Sequence, residues 1–174
     1  VYALAIDKNP FGPHTPIYDI PTTFPGNYEP KNFNGKFSGK MTLMTALNHS
    51  RNIPAIKLYF LAWEQKGIID YLKSAGVKSL DETFYYWAPL ALGTGEMTPM
   101  EVAQAYSVFA NLWNKIEINP ILKILDSKWL TIEEKKKSGG TKVLDEKTAY
   151  IMNYILSNTS SRPDEYWNTN LALK

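Results

Sequence analysis

The sequence contains no cysteine and two histidines, His14 and His49. A chain without cysteine can form neither a disulfide bond nor a thiolate metal site, and two isolated histidines make a poor metal site. The lack of cysteine is compatible with a location outside the cytoplasm. We predict that the protein uses no metal and no cofactor.

The sequence also lacks a strong charge and a long apolar run. Its 19 Lys and Arg against 17 Asp and Glu give a formal net charge of +2, and it has no basic stripe of the kind that binds nucleic acid. No apolar run approaches the roughly 20 residues needed to span a membrane. With 174 residues, of which 44% are hydrophobic, we predict one globular domain or a large part of one.

Prolines, glycines and apolar periodicity predict a mainly helical chain. Val1–Ile6 is apolar and reads as the end of a buried helix, whereas the prolines recurring from Pro10 to Pro30 exclude a helix there. Further elements are predicted as helices at Thr42–His49, Pro54–Gln65 (closed by Gly67), Ile68–Ala75 (ended by Gly76), Thr98–Asn111 (begun by a capping box) and Asp145–Leu156, an edge strand within Lys115–Asp126, a loop or hairpin tip at Glu133–Gly140, and a strand at Asn170–Lys174.

The tripeptide Ser50-Arg51-Asn52 stands between two of these helices. Side chains two residues apart point in different directions on a regular helix, so Ser50 and Asn52 can address one site only from a turn. Ser and Asn favour turns, and Pro54 suits the first turn of a new helix while disfavouring a helical Ile53. We predict a one-turn break that aims a hydroxyl and a carboxamide at a cleft. Taken alone, such a tripeptide is more often a simple helix break.

Four stretches of the sequence carry more information together than singly. They are Tyr18-Asp19-Ile20-Pro21 with Tyr28-Glu29-Pro30-Lys31-Asn32; Thr42 with Ala46 to Ala55; Leu90-Ala91-Leu92-Gly93; and Glu96 to Glu101 with Ala105 to Asn111. In this order and spacing they resemble the transpeptidase domain of the penicillin-binding proteins. The resemblance covers almost the whole chain and is strongest to the bifunctional class A glycosyltransferase/transpeptidases, including their 1C-like members.

The resemblance implies an α/β fold, that of the penicillin-recognising serine transpeptidases (β-lactamase-like), present here as its helical part with partial antiparallel strands. Of the family motifs S-x-x-K, S-x-N and K-[ST]-G, the chain contains the second as Ser50-Arg51-Asn52, and Lys174 resembles the first residue of the third. We therefore expect residues 1–174 to be a partial transpeptidase domain. It would begin after S-x-x-K, end on the first residue of K-[ST]-G, and be inactive by itself.

The family chemistry assigns roles to three residues of this chain. In relatives a serine attacks a D-alanyl-D-alanine stem peptide, and the acyl-enzyme is passed to an amine of a second stem peptide. By resemblance, Ser50 relays protons, and Asn52 holds the base lysine and the donor's amide. Lys174 supplies positive potential for the donor carboxylate. Arg51 has no role in this scheme and is expected to be solvated or ion-paired.

The resemblance also implies partners and a location. The partners are peptidoglycan stem peptides, β-lactams, the membrane through an N-terminal anchor outside this chain, and proteins of cell-wall synthesis. The location is the extracytoplasmic face of the bacterial cytoplasmic membrane. Two alternatives stay open: a D,D-carboxypeptidase or β-lactamase that uses water as acceptor, and a non-catalytic sensor or scaffold of the same fold.

Overall fold

The computed structural model describes residues 1–111, 113–135 and 139–163. Within these ranges the chain forms the helices α1 (Tyr2–Lys8), α2 (Leu43–Asn48), α3 (Asn52–Leu61), α4 (Glu64–Ser74), α5 (Pro99–Ala110) and α6 (Glu146–Ser157), with short 3-10 helices at Pro25–Asn27 and Ala88–Leu92. The strands are β1 (Pro16–Asp19), β2 (Gly39–Thr42), β3 (Asn114–Lys115), β4 (Lys123–Leu125), β5 (Thr131–Glu134) and β6 (Thr141–Lys142). They pair antiparallel as β1–β2, β3–β6 and β4–β5.

Helix α3 lies at the centre of the core. It contacts α1, α2, α4, β1 and the 3-10 helix at Ala88–Leu92. Its side chains Ile53, Ile56, Leu58 and Tyr59 are at most 1% exposed. A helix that is apolar on several sides must be covered on those sides, and the surrounding elements do this. In the described parts of the chain no helix is long and apolar enough to cross a bilayer.

The predicted start and stop signals of two helices are confirmed. After α4, Gly76 adopts φ +107°, its N–H donates to Lys73 O at 3.0 Å, and Val77 N–H donates to Leu72 O at 2.9 Å. This is the left-handed helix end that glycine favours. At the start of α5, the Thr98 hydroxyl and the Glu101 carboxylate form the reciprocal capping box.

The predicted end of α3 is wrong. The helix stops at Leu61, and Trp63 turns the chain with φ +60° so that α4 begins at Glu64. Gly67 lies inside α4, where an added Cβ would stand 2.5 Å from Ala62 O. This glycine therefore permits a close approach between the two helices and does not end one. Ile53, expected outside the helix, is helical, because Pro54 falls in the first turn where its missing N–H is not needed.

Two segments contain strands that the sequence pattern did not place correctly. The proline-rich stretch includes β1, which pairs with β2 from Pro16 opposite Thr42 to Asp19 opposite Gly39. The Lys115–Asp126 region divides into β3 and β4, which belong to different pairs. Of the predicted loop or hairpin tip, Glu133 and Glu134 belong to β5, residues 135, 139 and 140 lie outside strands, and residues 136–138 lie outside the described ranges. A hairpin tip lies between β4 and β5. There the Asp126 carboxylate accepts the N–H groups of Lys128 and Leu130, both at 2.8 Å.

The apolar pattern of α5 predicts a buried face that includes Val102, Tyr106 and Val108, and the structure buries a different one. Val108 is fully buried, but Val102 is 36% and Tyr106 60% exposed. The polar Gln104 is buried instead, and its Nε2 donates to Ile116 O at 2.9 Å, which ties α5 to the segment after β3. A buried polar side chain needs such a partner.

Candidate functional site

The turn between α2 and α3 is a helix end with serine in the position that usually holds glycine. Ser50 has φ +51°. Its N–H donates to Leu47 O at 2.9 Å, and the N–H of Arg51 donates to Ala46 O at 3.0 Å. These two bonds form the same left-handed stop seen after α4. Arg51 is extended and α3 begins at Asn52, so the predicted one-turn break is confirmed.

Ser50, Arg51 and Asn52 line one cavity of about 380 Å³. The other walls come from the start of α1, the ends of α2, α4 and α6, the end of the 3-10 helix at Ala88–Leu92, and α5. Those walls are mainly apolar and include Tyr2, Leu72, Phe109 and Leu156. The turn thus brings a hydroxyl and a carboxamide to one concave site, the arrangement typical of a pocket with few convergent polar groups.

The two polar side chains keep hydrogen-bonding capacity for a ligand. Within the described ranges, the Ser50 hydroxyl and Asn52 Oδ1 have no protein partner. Asn52 Nδ2 donates one hydrogen to Lys31 O at 2.7 Å, which leaves its second N–H and its oxygen. Lys174, the third predicted site residue, lies outside the described residues, and its role stays a prediction.

A buried polar cluster formed by Asp19 and Asn32 is hydrogen-bonded to this turn. Asp19 at the end of β1 is 0% exposed and Asn32 is 4% exposed. Asn32 Nδ2 donates to Asp19 Oδ1 at 2.8 Å, and Asn32 Oδ1 accepts the N–H of Asn52 at 2.9 Å. Asp19 and Asn32 both lie in or beside the proline-rich part of the chain, and the sequence pattern assigned no structural or catalytic role to either of them. An aspartate at the end of a strand carries no signal that it is buried.

Arg51 is ion-paired rather than solvated. Its Nε lies 3.6 Å from Asp19 Oδ2, and its side chain is 14% exposed. The guanidinium also donates from Nη2 to Ser38 Oγ at 2.6 Å and from Nη1 to Asn34 Oδ1 at 3.3 Å. The Arg51 side chain is therefore engaged by protein groups, and it holds the turn against the 31–38 loop.

Tyr2, which lines the cavity, carries a buried hydroxyl. The residue is 7% exposed, and its hydroxyl has no hydrogen-bond partner among the residues described. Burial, and secondly the Asp19 charge, raise the pKa of Tyr2, so the hydroxyl stays protonated. In the same ranges no group of three or more His, Cys, Asp or Glu side chains is arranged to hold a metal ion.

In the aromatic run 84–87, two side chains are exposed and two pack against the core. The Gln65 carboxamide fixes the run, donating to Phe84 O at 2.7 Å and accepting the N–H groups of Tyr86 and Trp87 at 2.7 and 3.0 Å. Trp87 packs edge-on against Tyr28, with ring centroids 5.1 Å apart. Phe84 remains 59% exposed. The second half of the run therefore packs against the core, whereas Phe84 and Tyr85 are mostly exposed.

Comparison with known proteins identifies the family. The sequence model of the penicillin binding protein transpeptidase domain matches residues 1–171, and the chain belongs to this family. It is 32% identical over 169 residues to penicillin-binding protein 1A of Neisseria lactamica, a match that covers 90% of this chain and 20% of that protein. The relatives named 1A agree with the class A resemblance, whereas the 1C-like subtype stays a prediction.

Solved structures show the same fold. The crystal structure of penicillin-binding protein 1A from Haemophilus influenzae superposes with a TM-score of 0.79 at 23% identity, covering 99% of this chain and 29% of that one. PonA1 from Mycobacterium tuberculosis, solved in complex with penicillin V, gives 0.72 at 18% identity, covering 85% and 42%. The predicted α/β transpeptidase fold is confirmed. The chain spans about a fifth of the length of the curated relatives it matches.

Proposed function

We propose that this chain is part of a serine D,D-transpeptidase that cross-links peptidoglycan stem peptides, and that it contributes the S-x-N portion of the active site. The observation that carries the proposal is the left-handed turn at Ser50, which brings Ser50 and Asn52 to one cavity. Family membership supplies the reaction, and the turn supplies two of the groups that the reaction needs.

In this proposal Ser50 transfers protons between the attacking serine, the base lysine and the departing nitrogen. The Ser50 hydroxyl can act as this proton relay because it has no hydrogen-bond partner within the described ranges and lines the cavity. Asn52 uses its oxygen to accept a hydrogen bond from the side-chain nitrogen of the base lysine, and its free N–H to bind the donor's side-chain amide. Lys174 attracts the donor carboxylate. The acylating serine and base lysine would come from an S-x-x-K motif outside residues 1–174.

The substrates follow from the reaction. The donor is a stem peptide ending in D-alanyl-D-alanine, and β-lactams act as mimics of that end. The penicillin V complex of the PonA1 structure supports β-lactam binding by this fold. Since the wall precursor is extracytoplasmic, the active protein works at the outer face of the bacterial cytoplasmic membrane, held there by an anchor outside this chain.

Labelling with a fluorescent penicillin tests the proposal on the full-length natural protein that contains these residues. We expect covalent labelling of the wild type and a loss of at least about 100-fold in the acylation rate for Ser50→Ala. Ser127→Ala is the matched control, since Ser127 lies on the exposed β4–β5 hairpin tip. A folded wild-type protein that takes no label would reject the activity.

Product analysis with stem-peptide substrates separates the transpeptidase from the hydrolytic alternatives. Cross-linked dimeric peptides are the expected product, because an amine acceptor must compete successfully with water. If only trimmed monomers accumulate, the protein is a carboxypeptidase. Labelling by penicillin without either product would favour a sensor of the same fold.

A further inference from the structure

We infer that Asn32 is a positioning residue for the active-site turn, oriented by the buried carboxylate of Asp19. The inference rests on the proposed function of Ser50 and Asn52. It concerns two residues that do not line the cavity and that act through Asn52. This positioning requires that the oxygen of the Asn32 carboxamide, and not its nitrogen, faces α3.

The orientation of the Asn32 side chain is fixed by its acceptors. Nδ2 lies 2.8 and 3.1 Å from the two Asp19 carboxylate oxygens and 2.8 Å from Lys36 O. All three are acceptors, so the NH₂ group must occupy this position. The oxygen is thereby turned to the N–H of Asn52, 2.9 Å away. A flipped carboxamide would set an acceptor against a carboxylate in a buried site, which is strongly unfavourable.

Asp19 is itself held from several directions. Besides Asn32, its Oδ2 accepts the N–H of Ser38 at 2.9 Å and lies 3.6 Å from Arg51 Nε. A buried carboxylate with these partners is rigid and stays in place. The carboxylate therefore acts as the fixed point from which Asn32 is aimed.

The consequence is that two adjacent residues hold Asn52 at both its backbone and its side chain. Asn32 accepts the N–H of Asn52, one of the four N–H groups that a helix start leaves without an intrahelical partner. Asn52 Nδ2 donates a hydrogen bond to Lys31 O. With one amide hydrogen fixed on Lys31, the Asn52 oxygen has a defined direction. Groups that act on a reacting centre must be held within about 0.5 Å of the productive geometry.

The variant Asn32→Ala tests the inference in the full-length natural protein. Removing the acceptor should free the N–H of Asn52, so its hydrogen exchange should accelerate by about 10-fold or more. The first-order acylation rate by fluorescent penicillin should fall by about 10-fold or more, with a smaller change in penicillin affinity. Phe33→Ala is the control in the same loop, because Phe33 is 96% exposed; exchange and acylation should both stay at the wild-type level.

The exchanged pair Asp19→Asn with Asn32→Asp provides a rescue. The two side chains can still hydrogen-bond each other, and the carboxylate at position 32 still accepts the N–H of Asn52. The second oxygen of this carboxylate then faces Lys36 O, where Asn32 had a donor, so the rescue is partial. We expect this double variant to acylate several-fold faster than Asn32→Ala. No recovery, together with wild-type melting behaviour, would count against the positioning role.

The two readouts separate failure of the inference from failure of the proposed function. If the wild type is labelled and folded Asn32→Ala acylates at the same rate, the positioning role is overturned and the transpeptidase stands. If the wild type takes no label but Asn52 exchange still accelerates in Asn32→Ala, the function is rejected and the hold on Asn52 is supported. Unchanged exchange at Asn52 overturns the inference in either case.

Discussion

Arg51 Nε stands 3.6 Å from Oδ2 of Asp19, a carboxylate with no exposed surface. Removing one partner of a buried pair leaves an uncompensated charge, so we expect Arg51→Met to lower the free energy of unfolding by about 3 kcal/mol. Lys66→Met is the control, because Lys66 pairs with Asp70 on the surface with 85% of its side chain exposed. Its cost should be far smaller than that of Arg51→Met, because solvent and salt screen an exposed ion pair.

Urea denaturation of both variants measures this difference. A double variant Arg51→Met with Asp19→Asn should recover part of the loss, because the carboxylate charge is then removed as well. Equal costs for the Arg51 and Lys66 variants would show that Asp19 does not depend on the guanidinium.

Ser50→Gly should separate stability from activity. Serine at φ +51° pays a conformational cost that glycine avoids, so the variant should gain up to about 1 kcal/mol in unfolding free energy. The same change deletes the hydroxyl and should abolish most of the acylation by fluorescent penicillin. Ser50→Ala keeps the strained backbone and should lose activity without the gain in stability. Thermal melting and labelling rates, measured side by side, check both effects.

If Ser50→Gly is less stable than Ser50→Ala, the left-handed conformation at this position is contradicted. If it is more stable but remains fully active, the turn stands and the catalytic role of the hydroxyl is rejected.

The hydrogen bonds of the Glu101 carboxylate should make the stability of the protein depend on pH. The carboxylate accepts hydrogen bonds from the Ser79 hydroxyl, the Thr98 N–H at 2.9 Å and the Lys78 N–H at 2.7 Å. These bonds lower the pKa of Glu101 from 4.5 to about 2. A depressed pKa means that the folded state releases this proton more readily than the unfolded state. The stabilisation is therefore complete above pH 4.5 and is lost as the pH falls towards 2.

Denaturation curves of wild type and Glu101→Gln between pH 7 and pH 2 measure the contribution. The variant should be less stable at pH 7, and the difference should shrink between pH 4.5 and 2. Glu133→Gln is the control, since Glu133 forms no side-chain hydrogen bond or ion pair within the described residues. A Glu101 difference that is constant over this range would contradict the hydrogen-bond arrangement.

Gly67→Ala should destabilise the protein although it sits inside a helix. Alanine gains about 1 kcal/mol in helix propensity over glycine. Here, however, its Cβ would lie 2.5 Å from Ala62 O and 2.7 Å from Trp63 Cβ. Overpacking against backbone typically costs about 1–3 kcal/mol, so we expect a net loss in melting temperature. Gly12→Ala, where nothing lies within 4 Å of the added Cβ, should be nearly neutral or slightly stabilising. A stabilised Gly67→Ala would contradict the close approach of α3 and α4.

Local signals predicted the helix ends that depend on neighbouring residues alone. Gly76 and the Thr98–Glu101 capping box involve contacts within a single helical turn, so the end of α4 and the start of α5 can be predicted from the neighbouring residues. The end of α3 depends instead on the packing of α4 against Ala62, and a pattern of apolar residues cannot show this. For the same reason Gly67 was misread as a stop.

By itself the sequence determined the helical character, the break at Ser50 and, through its ordered motifs, the family. The tertiary structure decided what holds that break in place. Asp19, Asn32 and Asn52 are separated by 13 and 20 residues, and each bond among them forms only after β1 and the 31–38 loop fold back against α3. Burial sets the strength of such bonds, and burial is a property of the whole fold rather than of any segment.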